Sequence, residues 1–217
     1  MRIDRWLPLC GIVFVALVVL TVVGSGSTPD ATDSAAKVTS FYNTHSTREF
    51  VMAVLLAAAT PFIVLFALSL ASAAGSRERS SQWQIALLTG AGVVAAVFLM
   101  NALVHFALAD AGNNGVGGSG IRAMNTLDND DWIAFNGALG VMMLAAAGVL
   151  LTGIRSTPRW LAWCALPLGV ALFIPFADFI ALLLTGVWII VQSLLLSLRR
   201  AEAASTVERS QTASAQA

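Results

Sequence analysis

Phe50–Leu70 contains no Asp, Glu, Lys or Arg, and this absence limits the fold more than any motif in the chain. An uncharged apolar run of roughly 18 or more residues is a membrane-helix candidate. Leu7–Val23, Trp83–Ala109 and Trp132–Ile154 repeat the pattern. Over the whole chain only 11% of residues are charged, against about 25% in soluble domains. The sequence therefore predicts an all-α, polytopic membrane protein with the lipid bilayer as its solvent.

The last apolar block, Trp160–Leu198, is too long for one span. As a single helix it would reach about 58 Å, against a hydrocarbon core of roughly 30 Å. Pro175 and Asp178 lie near its middle, so the block divides into Trp160–Ile174 and Phe179–Leu198 around a tight turn. The reading is a six-helix transmembrane domain over residues 1–200, with spans at 7–23, 50–70, 83–109, 132–154, 160–174 and 179–198. A polar tail, 201–217, is expected to be disordered and cytoplasmic. With both termini inside, the inner segments hold nine basic and four acidic residues, and the outer ones three basic and eight acidic. That distribution obeys the positive-inside rule. The first span has a basic start and a Gly/Ser-rich exit, as a signal peptide does, but its long apolar run fits a retained anchor.

Between the spans, Pro29 and Asp33 mark a helix start. Val38, Phe41, Tyr42 and His45 follow at the spacing of one helical face, which predicts an amphipathic helix running into the second span. Gly112–Gly120 is glycine-rich and reads as a flexible tether. The run Asn125-Thr126-Leu127-Asp128-Asn129-Asp130-Asp131-Trp132 is the densest acidic stretch. Asp130 or Asp131 is expected to cap the fourth span, with Trp132 as an interfacial anchor. Ala53/Ala57, Gly92/Ala96 and Ala134/Ala138 are small pairs that allow close helix approach. Cys10 and Cys164 form no disulfide framework. Zero formal net charge and the lack of any nucleic-acid-binding pattern argue against nucleic acid as a partner.

Polar groups inside hydrocarbon are expensive and are the default functional candidates. Asn101 and His105 are four residues apart and share a helical face. They lie about 7 Å and 13 Å outward of Ala96, at mid-span. Asn136 lies about 10 Å outward of the middle of the fourth span by the same count. Asp131 heads that span, and Asp178 stands in the outer turn of the last hairpin. The matching depths predict one outer polar pocket of Asn101, His105, Asp131, Asn136 and Asp178, suited to a cation or to sensing external pH. No HExxH, H-x-x-x-H, Ser-His-Asp or Cys-His pattern occurs, so neither catalytic residues, metal ligands nor a cofactor are expected.

Asn125-Thr126-Leu127, Pro158-Arg159-Trp160-Leu161-Ala162-Trp163 and Leu168-Gly169, set in a six-span plan, resemble a group of bacterial, largely actinobacterial, integral membrane proteins of the domain-of-unknown-function type. The resemblance implies six spans and a bacterial plasma membrane, and no site residues. The function expected is that of a non-enzymatic accessory protein or outward-facing sensor, with a membrane-protein partner or a second copy of itself. The alternatives are a small transporter or channel subunit and, third, an intramembrane enzyme.

Overall fold

The structure, a computed structural model, describes residues 6–74, 78–115, 117–153 and 158–215; of 78–80 and 203–215 it describes the backbone alone. Arg2, Asp4, Arg5, Arg77 and Arg155 of the charge count, Ile154 of the fourth span and 216–217 of the tail lie outside these residues. After a 3-10 turn at Leu7–Leu9 come α1 (Cys10–Ser25), α2 (Ala35–Ala73), α3 (Glu78–Asn113), α4 (Ser119–Asp130), α5 (Trp132–Thr152), α6 (Arg159–Ala171) and α7 (Asp178–Ala215). No strand occurs among the described residues.

Five helical segments are long and apolar enough to cross a membrane: Leu7–Ser25, Ala35–Ala73, Ser81–Asn113, Ser119–Thr152 and Asp178–Glu202. The division of the last apolar block is observed, with the break at Leu172–Ala177. Helix α6 has 13 residues, about 20 Å of rise, which is short of a full hydrocarbon crossing. Helix α7 continues through Ala215, over residues expected to form a disordered tail. Ala, Glu, Arg and Gln are good helix formers, and this composition suits continuation of the helix.

Each helix buries a stripe against its neighbours. Packing contacts run from α1 to α2, α2 to α3, α3 to α5, α5 to α6, and α6 to α7, which returns to α1. The main core is the inside of this ring and includes Phe66, Leu70, Leu87, Met142, Met143 and Ile189. The outside is apolar too: Val23, Leu103, Ile133, Phe179 and Leu183 are all exposed. Water would penalise so large an apolar surface, whereas lipid does not.

Glycines set the closest approaches. A Cβ on Gly90 would stand 3.0 Å from the Met142 backbone, and one on Gly140 would stand 2.9 Å from the Gly169 carbonyl. The expected Gly92/Ala96 contact is not formed, because both residues are exposed and nothing lies within 4 Å of a Cβ at Gly92. The contact face is shifted by two residues, to Gly90, Ala91 and Val94. Cys10 and Cys164 are both free.

Helix α2 has 39 residues and α3 has 36, about 58 Å and 54 Å long, so both exceed the hydrocarbon thickness. The N-terminal part of α2 is the expected amphipathic helix. Ser34 Oγ accepts from the Lys37 amide at 3.4 Å as its cap. Lys37 also pairs with Asp33 at 2.7 Å, and that bond holds the Asp33 carboxyl below its usual range. At this end α4 lies across α2 and α3, and a second small core forms from Val38, Tyr42, Leu108, Ala111 and Ile121. We call this the capped end of the bundle.

Candidate functional site

Three inward-facing stripes meet under α4. On α2 the stripe is Val38, Tyr42, Glu49 and Leu56. On α3 it is Asn101, His105 and Leu108, and on α4 it is Ile121, Asn125 and Asp128. All follow steps of three, four or seven residues, so each stripe is one face of its helix. The hydrophobic members set the packing, and the polar members are carried into the interior with them.

Glu49 is fully buried. Its Oε1 accepts from Arg48 Nη2 at 3.1 Å and Nε at 3.3 Å. The Arg48 guanidinium also lies 4.9 Å from the centre of the Phe41 ring, within cation–π range. The other carboxylate oxygen, Oε2, stands 2.7 Å from His105 Nδ1. On the far side of the ring, His105 Nε2 is 3.5 Å from Asp128 Oδ1. Both ring nitrogens thus face carboxylate oxygens, and only the imidazolium has two N–H groups to offer them. Asn101 donates from Nδ2 to Asp131 Oδ2 one turn further along α3. The Asn101 oxygen, Oδ1, is buried and has no hydrogen-bond partner among the described residues.

Three carboxylates therefore gather at one imidazole, and one of them, Glu49, also holds the Arg48 guanidinium. If every carboxylate is ionised, the group carries a net −1 with His105 protonated and −2 with it neutral. Buried charge of this kind persists only when it is paired or serves a ligand. The cluster opens into a cleft of about 290 Å³. His105, Asn101, Asp128 and Asp131 line one part of it, and Phe98 and Phe135, edge to face at 5.0 Å, line another. Helices α1 and α7 close it with Val18, Thr21 and Leu182.

Of the five residues expected to converge, Asn101, His105 and Asp131 line this cleft. Asn136 and Asp178 are not among its lining residues. They form a separate buried contact, Asn136 Nδ2 donating to Asp178 Oδ2 at 3.0 Å, which ties α5 to the start of α7. Matching depth is not enough for convergence. Asp131 and Asn136 are five residues apart, which turns them about 140° from each other around a helix.

The five-residue pocket expected from the sequence left out two members of the cluster, Glu49 and Asp128. The signal for Glu49 was available: it lies seven residues after Tyr42 and seven before Leu56, on the buried stripe. Asp128 was obscured by the expected cap. The acidic run is helical through Asp130, and Asp131 joins α4 to α5 without a side-chain capping bond.

A polar lock holds α4 over the cluster. Tyr42 Oη donates to Asn125 Oδ1 at 2.8 Å, and both residues are fully buried. Asn125 Nδ2 donates to the Pro29 carbonyl at 3.2 Å, and Asn129 Nδ2 donates to the same oxygen at 3.1 Å. The α1–α2 connection is thereby fastened to α4. Gly112, expected in the tether, is instead a packed residue of α3, where a Cβ would overlap the Tyr42 carbonyl. The connection narrows to Gly115 and Gly118, both at positive φ.

The chain matches no protein-family model, no curated protein and no solved structure.

Proposed function

We propose that the chain is a non-enzymatic, multi-pass protein of a bacterial plasma membrane whose capped end faces outward as a sensing or binding site. The observation that carries this reading is the buried His105, held between Glu49 and Asp128 and open to a cleft. Histidine is the side chain whose charge changes between about pH 5 and 8. A shift in its protonation alters the electrostatic balance of every group in the cluster. The positive-inside distribution supports six spans with both termini cytoplasmic, α6 and the following turn together making the fifth. The resemblance to actinobacterial membrane proteins supports the choice of membrane.

The test uses the full chain in lipid nanodiscs. Trp132 lines the cleft beside His105, so its emission, isolated by difference from Trp132→Phe, reports the site. It is expected to change with pH in the native chain, and His105→Gln is expected to shift or shrink that response. A flat native titration would end the sensing reading. Reporter fusions after Ala217 and within Gly112–Gly120 are expected to lie on opposite sides of the membrane; a shared side would remove the six-span topology.

The alternative, a small transporter or channel subunit, has one observation in its favour. Thr185, Gln192 and Ser193 are buried on α7, and among the described residues neither amide atom of Gln192 nor either hydroxyl has a hydrogen-bond partner. Polar groups left open inside a bundle are typical of permeation routes. They are not among the lining residues of the cleft, although Thr185 stands one turn along α7 from Leu182, which is.

A further inference from the structure

We propose that the cleft binds a small organic ammonium cation, an amine with a short apolar body. This rests on the reading of the capped end as an outward-facing binding site and adds the class of ligand.

Charge decides the sign. The cleft wall holds Asp128 and Asp131, with Glu49 immediately behind His105. An anion would add a like charge to three carboxylates. With the carboxylates ionised, a neutral molecule would leave their excess negative charge in place. Asn101 Oδ1, buried and with no partner among the described residues, is an acceptor in want of a donor, and an ammonium group supplies two or three N–H donors for it and for the carboxylates.

The walls decide against a bare metal ion. Among the described residues no group of three or more His, Cys, Asp and Glu is placed to hold a metal. The remaining lining includes Leu56, Val97, Phe98, Phe135 and Leu182, which offer a metal no ligands. They do suit the alkyl or aryl part of an amine. Phe98, Phe135 and Trp132 add aromatic faces, which attract cations as well as apolar groups. A volume of about 290 Å³ lies at the small end of ligand sites, roughly 300–1,000 Å³, so the body is a short chain or a single ring.

The same geometry couples the ligand to protons. The groups facing His105 are Glu49 and, behind it, Arg48 from α2, Asp128 from α4, and Asp131 at the α4–α5 joint. An ammonium beside Asp128 and Asp131 does the neutralising that the imidazolium does in its absence. Bound amine therefore favours neutral His105, and affinity rises as the pH rises through the titration of the histidine.

The experiment uses the full chain in nanodiscs, Trp132 emission, and three probes of equal length: n-hexylammonium, n-hexanol and n-hexanoate. Hexylammonium is expected to give a saturable change that hexanol and hexanoate give at least tenfold more weakly. Asp131→Asn is expected to weaken hexylammonium at least tenfold, and Asp131→Glu to restore part of the loss. Asp128→Asn gives the same reading should Asp131→Asn not fold. Equal binding of hexanol and hexylammonium, or unchanged hexylammonium affinity in both Asn variants, would overturn the ligand class. The His105-dependent pH response is read separately without any probe. Its loss removes the sensing reading, while its survival beside failed amine binding removes this inference alone.

Discussion

Asn125→Ala tests whether α4 is held by a specific polar lock or merely rests on the bundle. The substitution removes the acceptor of the Tyr42 hydroxyl, which is fully buried and has no water to turn to. A stranded buried donor costs about 1–3 kcal/mol. The bond to Pro29 is lost as well, but that carbonyl keeps Asn129 as a donor, so its loss adds only about 1 kcal/mol. The expected total is about 3 kcal/mol, or about 100-fold in the opening equilibrium of α4. Tyr42→Phe removes the hydroxyl but leaves the buried Asn125 Oδ1 without its donor, at a cost of about 1–3 kcal/mol. In the double variant no hydroxyl is left to strand, so its cost falls below the sum of the two by about 1–2 kcal/mol. Hydrogen exchange of the amides of residues 119–130 measures this opening. Exchange within about threefold of the native rate in Asn125→Ala, or strict additivity in the double variant, would refute the lock.

The remaining predictions concern packing and charge. Gly112→Ala is expected to lower stability by about 2 kcal/mol or more, because its methyl would overlap the Tyr42 backbone. Gly92→Ala, with open space around it, is expected to stay within about 0.5 kcal/mol of the native chain; the contrast is read by reversible unfolding in mixed micelles. Glu49→Ala strips both Arg48 and His105 of their acceptor and is expected to cost about 3–5 kcal/mol. The loss should be larger at pH 6 than at pH 8, since an imidazolium without its carboxylate is worse placed than a neutral ring. An equal loss at both values would separate His105 from Glu49.

The apolar blocks made the long helices legible, because the lack of charge over twenty residues leaves few soluble alternatives. The split at Pro175 was legible from length, and the 38–45 face from its period of 3.6. Depth along the helices matched Asn101 and His105 to Asn136, whereas the structure pairs Asn101 with Asp131. Azimuth did not follow from depth, and Asn136 turned away to Asp178. Gly112 looked like linker because it opens a glycine-rich stretch, yet its missing side chain serves a helix crossing that composition does not reveal. Gly90 and Gly92 lie on one helix two residues apart, and only the position of Met142 chooses between them. Glu49 stands at the edge of an apolar block, where a carboxylate is ordinarily solvated, and it is buried here because α2 extends about four turns before it.

Helix α4 turns an interfacial cluster into a buried one. Phe50 and Phe106, the neighbours of Glu49 and His105, are both half exposed and stand 5.9 Å apart. Thr47 and Asp110, one turn beyond, are exposed and polar. The cluster thus lies where the surface of the bundle changes from apolar to polar, at a depth where water would reach an open helix end. Two features of α4 prevent that. Ile121 and Asn125 seat it on α2 and α3, and Asp128, on the same face, adds the second carboxylate to His105. Lock and site are consecutive turns of one stripe, so α4 cannot lift without separating Asp128 from the histidine. A cation held by Asp128 is then bound to the closed position of α4 and stabilises it by mass action. Loss of the Asn125 bond weakens such binding without touching the cleft, because the competent state is populated less.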